Sequence, residues 1–298
     1  MVNSTPMLLV DCSHILHTAK HAMVSNRLSN NGIETSVIFS FVSQLFSLSK
    51  KFNSNHFVFA FDSEKSLRRE IYPTYKLKRN NAKKEKTDQE RYYDQVCYDQ
   101  FNEIRDVVLP MLGFKNLFFQ EGLEADDIVA SIVRTYEKEI AIVSSDKDLY
   151  QLLSEGNGKD VYIYNIKTKK KYRKSDLYEE FGVTPDQWWQ LLCIKGCDTD
   201  EVHGIPDVGY KTASKYLNEK LSARDSKKRL IDSPASKRII ERNIRLVKLP
   251  FEGTGVFSLV EDDLSLSKFQ QMCHKYGFVS MLKTEKVLEW KTCMGVTK

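Results

Sequence analysis

Residues 140–148 read Ile140-Ala141-Ile142-Val143-Ser144-Ser145-Asp146-Lys147-Asp148. Four apolar residues, three of them β-branched, give way to a small polar turn and then to two carboxylates. An uninterrupted apolar run of this length is the pattern of a strand buried on both faces. The same pattern occurs twice upstream. Met7-Leu8-Leu9-Val10 runs into Asp11, and Phe57-Val58-Phe59-Ala60-Phe61 runs into Asp62. In an open α/β sheet, ligands bind outside the carboxyl ends of the strands. These acids therefore belong to one rim of one sheet.

The segments between these strands carry helical spacing. Val37, Ile38, Phe41, Val42 and Leu45 predict a packed helix over 36–48. Tyr93, Val96, Phe101, Ile104, Val107, Val108 and Leu112 predict another over 92–112, ending near Gly113. A short strand is expected at 116–120, a helix opening at Glu124, and a helix at 148–153. A hairpin is expected to pair 161–164 with 171–173. Alternation of strand and helix predicts an α/β fold with a parallel sheet. From about residue 175 the chain reads as helices with short connections. This divides it into a catalytic region at 1–174 and a helical region at 175–298.

Eight acids fall at or near the expected rim: Asp11, Asp62, Glu124, Asp126, Asp127, Asp146, Asp148 and Asp200. Two carboxylates ~4 Å apart repel by roughly 4 kcal/mol at an effective dielectric of about 20. Such a cluster calls for cations or raised pKa values. Oxygen-only ligation points to Mg²⁺ or Mn²⁺. Asp146 and Asp148, two apart on a turn, can reach one ion or bridge two. Two ions roughly 3.5–4 Å apart can clamp the attacking and leaving oxygens of an in-line phosphoryl displacement. The plainer alternative for Glu124, Asp126 and Asp127 is an acidic first turn favoured by the helix dipole.

Charge distribution says more than the net charge of +5. Residues 65–86 hold nine bases against two acids, with Tyr72 and Tyr75 interleaved. This segment also carries Pro73, Asn80 and Asn81 and little apolar periodicity, so an excursion from the sheet is expected over 63–91. A basic rim beside an acidic pocket suits a polyanion, and the tyrosines favour nucleic acid over a merely solvated loop. Gly204-Ile205-Pro206-Asp207-Val208-Gly209-Tyr210-Lys211 reads as a turn opening a helix, where Gly204 and Gly209 would let a phosphate approach free N–H groups and Lys211 adds charge. A plain helix connection is the alternative there. Trp188 and Trp189 are expected in the core, and Cys193 and Cys197 as buried thiols. Six cysteines without CxxC pairs and no long apolar stretch fit a reduced, cytoplasmic protein with no membrane association.

In this order, the blocks resemble a phage-type 5′ nuclease of the flap endonuclease superfamily, which includes the 5′-nuclease domain of bacterial DNA polymerase I. They are Leu8-Leu9-Val10-Asp11, Phe59-Ala60-Phe61-Asp62, Arg69 with Tyr75-Lys76 and Arg79, Glu124-Ala125-Asp126-Asp127, Ser145 to Leu153, and Lys195-Gly196 to Asp200 followed by Gly204 to Gly209. The tail from Phe269 through Tyr276-Gly277-Phe278 to Leu282 is also similar. The resemblance implies a PIN-like sheet, a helical arch over the site, and a helix–three-turn–helix in the C-terminal region. It implies two divalent metals, with Asp11, Asp62, Glu124, Asp126 and Asp127 serving the first and Asp146, Asp148 and Asp200 the second. It implies that Lys76 neutralises the scissile phosphate, that Tyr75 stacks on a displaced base, and that Arg69 and Arg79 hold the 5′ strand. Arg79, Lys83 and Lys84 of the arch, with Gly204, Gly209 and Lys211, would bind DNA, together with a monovalent cation at the turn. The resemblance departs at Cys197, where such proteins usually carry Asp, at Thr18 in place of Arg, and at Asp207 in place of Gly.

The function expected is a metal-dependent 5′→3′ exonuclease and flap endonuclease acting as a monomer on DNA 5′ ends, flaps and junctions and on RNA–DNA hybrids, alongside replication proteins. A non-catalytic junction binder and a PIN-type ribonuclease are the competing readings. The set Asp146, Asp148 and Asp200 argues against the first, and the 204–211 turn against the second.

Overall fold

The computed structural model describes residues 5–16, 28–78, 86–156 and 159–296. Its centre is a six-stranded sheet. The strands are β1 (Met7–Asp11), β2 (Phe57–Ala60), β3 (Leu117–Phe118), β4 (Ile140–Val143), β5 (Val161–Asn165) and β6 (Lys170–Tyr172). Their spatial order is β3-β2-β1-β4-β5-β6. All pairs are parallel except β5 with β6, the hairpin expected around the Lys-rich turn. The chain winds outward from β1 to β3, then crosses to β4 on β1's other side. That reversal makes a crevice at the carboxyl ends of β1 and β4. Register places Asp11 beside Ala60 and Val10 beside Val143, so the three strands end at one level.

Period-2 alternation sends side chains to two cores. Leu8, Val10, Phe57, Phe59, Ala141, Val143, Tyr162 and Tyr164 face one way. Met7, Leu9, Val58, Ala60, Ile140, Ile142, Val161 and Ile163 face the other. On the first face lie α1 (Ser36–Phe52) and α3 (Asp88–Glu103). On the second lie α4 (Ala125–Thr135), α6 (Pro185–Lys195) and α9 (Pro234–Val247). Between the strand β2 and α3, a short α2 (Leu67–Ile71) begins the basic excursion. The helix expected over 92–112 begins earlier, at Asp88, and contains a π-helical turn at Ile104–Val108. Pro110, which follows, has no N–H and crowds the carbonyl four residues back, and a widened turn accommodates this.

The division expected at 174/175 does not divide the core. Two helices near the C-terminus, α10 (Leu266–Tyr276) and α11 (Thr284–Cys293), return to the first face of the sheet. There Trp290 stacks on Phe269 at 4.3 Å and meets Phe46 of α1 at 5.0 Å. Burial of large aromatics outweighs sequence proximity in deciding which segments share a core.

Candidate active site

Each acid reaches the crevice by a different local device. Asp11 closes β1 and is only 6% exposed. Its carboxylate accepts hydrogen bonds from Ser144 Oγ at 2.8 Å and from the His14 N–H at 3.2 Å. Asp62, two residues beyond β2, accepts the Ala125 N–H at 2.7 Å and the Ser13 hydroxyl. It thereby fastens the start of α4 to the sheet. Asp146 lies beyond β4 and accepts the Asp148 N–H at 2.9 Å, folding the turn so that both acids stay near the crevice.

The mutual field of these groups is strong. Burial, the Asp62 charge and, to a lesser degree, Asp146 push the Asp11 carboxyl up to about 7 against its bonds from Ser144 and His14. Burial followed by repulsion from Asp146, Asp11 and Glu124 raises Asp126 well above the carboxylate range. Asp148 is raised by burial and then by Asp146 and Asp200. Five separate segments therefore press their carboxyl groups into one electrostatic neighbourhood.

The counter-charge comes from the start of the basic excursion. Lys76 Nζ sits 2.9 Å from Glu124 Oε1 and 3.6 Å from Asp200 Oδ2. Burial works against its charge, but Glu124 and Asp200 overcome this and raise its pKa. Its backbone adopts φ +54°, left-handed for a lysine, and its N–H donates to the Asp200 carbonyl at 3.0 Å. Glu124 loses by burial but is held below its usual range by Lys76 and Arg68. Beside it, Asp148, Cys197 and Asp200 place one donor atom each within 4.8 Å of one another. Cys197 begins from β7 (Gly196–Cys197), paired antiparallel with β8 (Val202–His203).

The family model described as the 5'-3' exonuclease, N-terminal resolvase-like domain, matches residues 6–182. The chain belongs to this exonuclease family. A 5'-3' exonuclease of Aquifex aeolicus is 30% identical over 269 residues, 86% of each chain. One from Bacillus subtilis is 28% identical over 224 residues, 73% of this chain and 71% of that one. DNA polymerase I of Mycobacterium leprae is 30% identical over 225 residues, and the match spans only 23% of its length. Among solved structures, the bacteriophage T5 flap endonuclease in complex with DNA and metal ions aligns with a TM-score of 0.68 at 23% identity, over 82% of this chain and 89% of that one. The flap endonuclease-1 of Methanococcus jannaschii aligns at 0.61 with 14% identity, over 98% and 93%. Both show the fold of the exonuclease family in this chain.

Within that fold, the residues anticipated for the site divide. Asp11, Asp62, Glu124, Asp126, Asp146, Asp148 and Asp200 come together around the crevice. Asp127 does not join them as an open ligand. It is fully buried, and Arg68 Nη1 and Nη2 grip its two oxygens at 2.6 and 2.7 Å. It also accepts the N–H groups of Glu124 and Phe251. Helix geometry points Asp127 away from the side that Asp126 presents, toward the core. Tyr75, expected to stack on a displaced base, is also turned inward in this structure. It is 2% exposed, and its hydroxyl donates toward Glu124 at 2.9 Å and Asp200 at 3.1 Å. Arg69 is partly exposed on α2. Arg79, Lys83 and Lys84 lie outside the described residues, as does Thr18.

The turn expected to meet duplex has two different glycines. A Cβ on Gly204 would fall 2.1 Å from the Lys195 backbone, so Gly204 is needed for contact with Gly196 within the chain. Gly209, capping α7 (Tyr210–Leu217), has open space where a Cβ would lie. Lys211 is exposed in the first turn of α7. Trp188 is buried and donates to the Lys147 carbonyl at 2.7 Å, tying α6 to the Asp146–Asp148 turn.

Sequence reasoning passed over Arg68 and Ser144. A lone Arg inside a basic run carries no signal of burial, and only the partner across the fold reveals it. Divalent ions fit this site. Its oxygen donors repel one another, and a cation would relieve the charge that burial and crowding oppose.

Proposed function

We infer that this chain is a divalent-metal-dependent 5′→3′ nuclease. It hydrolyses phosphodiesters at 5′ ends and at single-strand/duplex junctions of DNA and of RNA–DNA hybrids. The observation that carries this reading is the convergence of Asp11, Asp126, Asp146, Asp148 and Asp200 at the carboxyl rim of the sheet, with Lys76 set among them. Mg²⁺ or Mn²⁺ at the all-oxygen acids, with a second divalent ion beside it, would supply an activated water and neutralise the charge that builds on the phosphate.

The chain's own groups account for the remaining work. Lys76 stands where a phosphate entering the crevice would exchange with Glu124 for its ammonium. Tyr75 and Glu124 hold Lys76 in place until then. Asp62 and Ser144 orient α4 and Asp11. The open N-terminus of α7 at Gly209, with Lys211, suits a duplex phosphate and reads no base. Removal of RNA primers or flaps during replication is the role such specificity would serve.

A panel of 5′-labelled flap DNA, RNA–DNA hybrid and single-stranded RNA, each with Mg²⁺, tests the reading. Cleavage near the junction of flap and hybrid is expected. Cutting of free RNA alone would favour a ribonuclease, and binding without any cut would leave a junction-binding protein.

A further inference from the structure

Oxygen is not the only donor in the crevice. Cys197 Sγ lies 3.6 and 3.7 Å from the two carboxylate oxygens of Asp148, and 3.2 Å from Thr199 Oγ1. Cys197 as a whole is 7% exposed, and its backbone is fixed by the β7/β8 pair and by the close seating of Gly196 against Gly204. Asp200 completes a triad whose donor atoms all fall within 4.8 Å of one another. Zn–S and Zn–O contacts near 2.3 and about 2.0–2.2 Å put donors roughly 3–4 Å apart, the range of the Cys197–Asp148 contacts, and a small inward shift would bring the whole triad onto one ion. In the metal-free chain the thiol donates to the Asp148 carboxylate, and loss of that proton would leave sulfur and carboxylate facing the same point.

We propose that the second ion of this site is bound through sulfur as well as oxygen, with Cys197, Asp148 and Asp200 forming a mixed donor set that selects ions of the zinc, cobalt and cadmium kind over Mg²⁺. The inference rests on the metal-dependent reading above. On binding, the thiol proton leaves to solvent and the thiolate becomes the ligand. Soft donors favour such ions, whereas Mg²⁺ demands oxygen. The site thus differs in preference from the all-oxygen set formed by Asp11, Asp126 and Asp146.

The test uses the full metal-free chain and Co²⁺ alone, without DNA. Wild type is expected to develop a near-ultraviolet thiolate-to-cobalt charge-transfer band. Cys197→Ser and Cys197→Asp should lose it. Calorimetry should show Cd²⁺ binding weakened about tenfold or more in Cys197→Asp, a loss of the size seen when metal-supporting groups are removed. Mg²⁺ binding in that variant should be equal or stronger. A wild-type spectrum without the band overturns the proposal whether or not any variant folds, and so does a band that survives in a folded Cys197→Ser. Cleavage of the labelled flap with Mg²⁺ is measured in parallel. Cleavage without the band defeats the sulfur ligand and leaves the nuclease reading standing. The band without cleavage under any ion does the reverse.

Discussion

Lys76 and Asp11 show how single residues set the chemistry. Lys76 Nζ bridges Glu124 and Asp200 from a strained left-handed backbone that a hydrogen bond to Asp200 maintains. Lys76→Ala should lower the single-turnover cleavage rate by about 10²-fold or more while changing DNA affinity little, as expected of a charge aimed at the transition state. Equal single-turnover rates for the two proteins would remove Lys76 from the chemistry. Asp11 makes a pH prediction. Its carboxyl ordinarily titrates at 3.8 and is pushed up to about 7 by burial and by Asp62. Between those values the folded chain holds the proton that the unfolded chain releases. Metal-free stability should therefore fall as pH rises through that interval, by roughly 4 kcal/mol for this group at about 1.4 kcal/mol per pH unit. Thermal melts from pH 4 to 8 are expected to slope downward, to recover on adding a divalent ion at the upper end, and to become shallower in Asp11→Asn, with Asp126 and Asp148 supplying the remaining slope. A rising slope would mean that Asp11 is stabilised as the anion instead.

At the scale of elements, Arg68 is the joint. From α2 it grips Asp127 on α4, donates through Nε to the Leu246 carbonyl on α9 at 2.8 Å, and lies over the Phe251 ring at 5.1 Å. Removing one partner of such a buried pair strands the other charge and costs about 3–5 kcal/mol. Arg68→Met should show that loss in urea denaturation. Arg68→Lys should not restore it, because an ammonium cannot make the paired bonds. A shift below about 1 kcal/mol would place the pair among weak surface bridges. The β8–α7 turn makes a second test, with its glycines serving different ends. Gly204→Ala should destabilise by more than about 2 kcal/mol, since its Cβ would overlap the Lys195 backbone. Gly209→Ala should cost about 1 kcal/mol or less, from a poorer N-cap residue alone, since its Cβ meets nothing. If both melt alike, the close contact of Gly204 with Gly196 is not what holds the turn.

For the molecule as a whole, both ends of the chain build the core on one face of the sheet. Helices α10 and α11 complete the core that begins with α1 and β1. Trp290 is fully buried against Phe269 and Phe46. Trp290→Ala should cost about 3–5 kcal/mol, as large aromatic truncations do. Its thermal transition should remain single, because one core spans both ends of the chain. Two separated transitions would restore the division at residue 175. Among the described residues, no helix is long and apolar enough to cross a membrane.

Much of this architecture is written locally. Apolar runs that stop at an aspartate determine where β1, β2 and β4 end, and parallel pairing then fixes the rim on which Asp11, Asp62 and Asp146 stand. That follows from strand periodicity and needs no knowledge of distant contacts. What periodicity does not carry is how neighbours in sequence part company. Asp126 and Asp127 differ by one step along α4, yet one enters the crevice and the other is locked to Arg68, because a helix turns its successive residues by about 100°. Tyr75 and Lys76 likewise point to the same acids, but only the packed fold decides that the tyrosine is buried. Sequence comparison marks Cys197 as standing where an Asp is usual, but only folding sets its sulfur within reach of both Asp148 and Asp200. Local pattern fixed where backbone segments stop, and three-dimensional packing decided which side chains share space, since burial and charge energies depend on neighbours the chain supplies from far away.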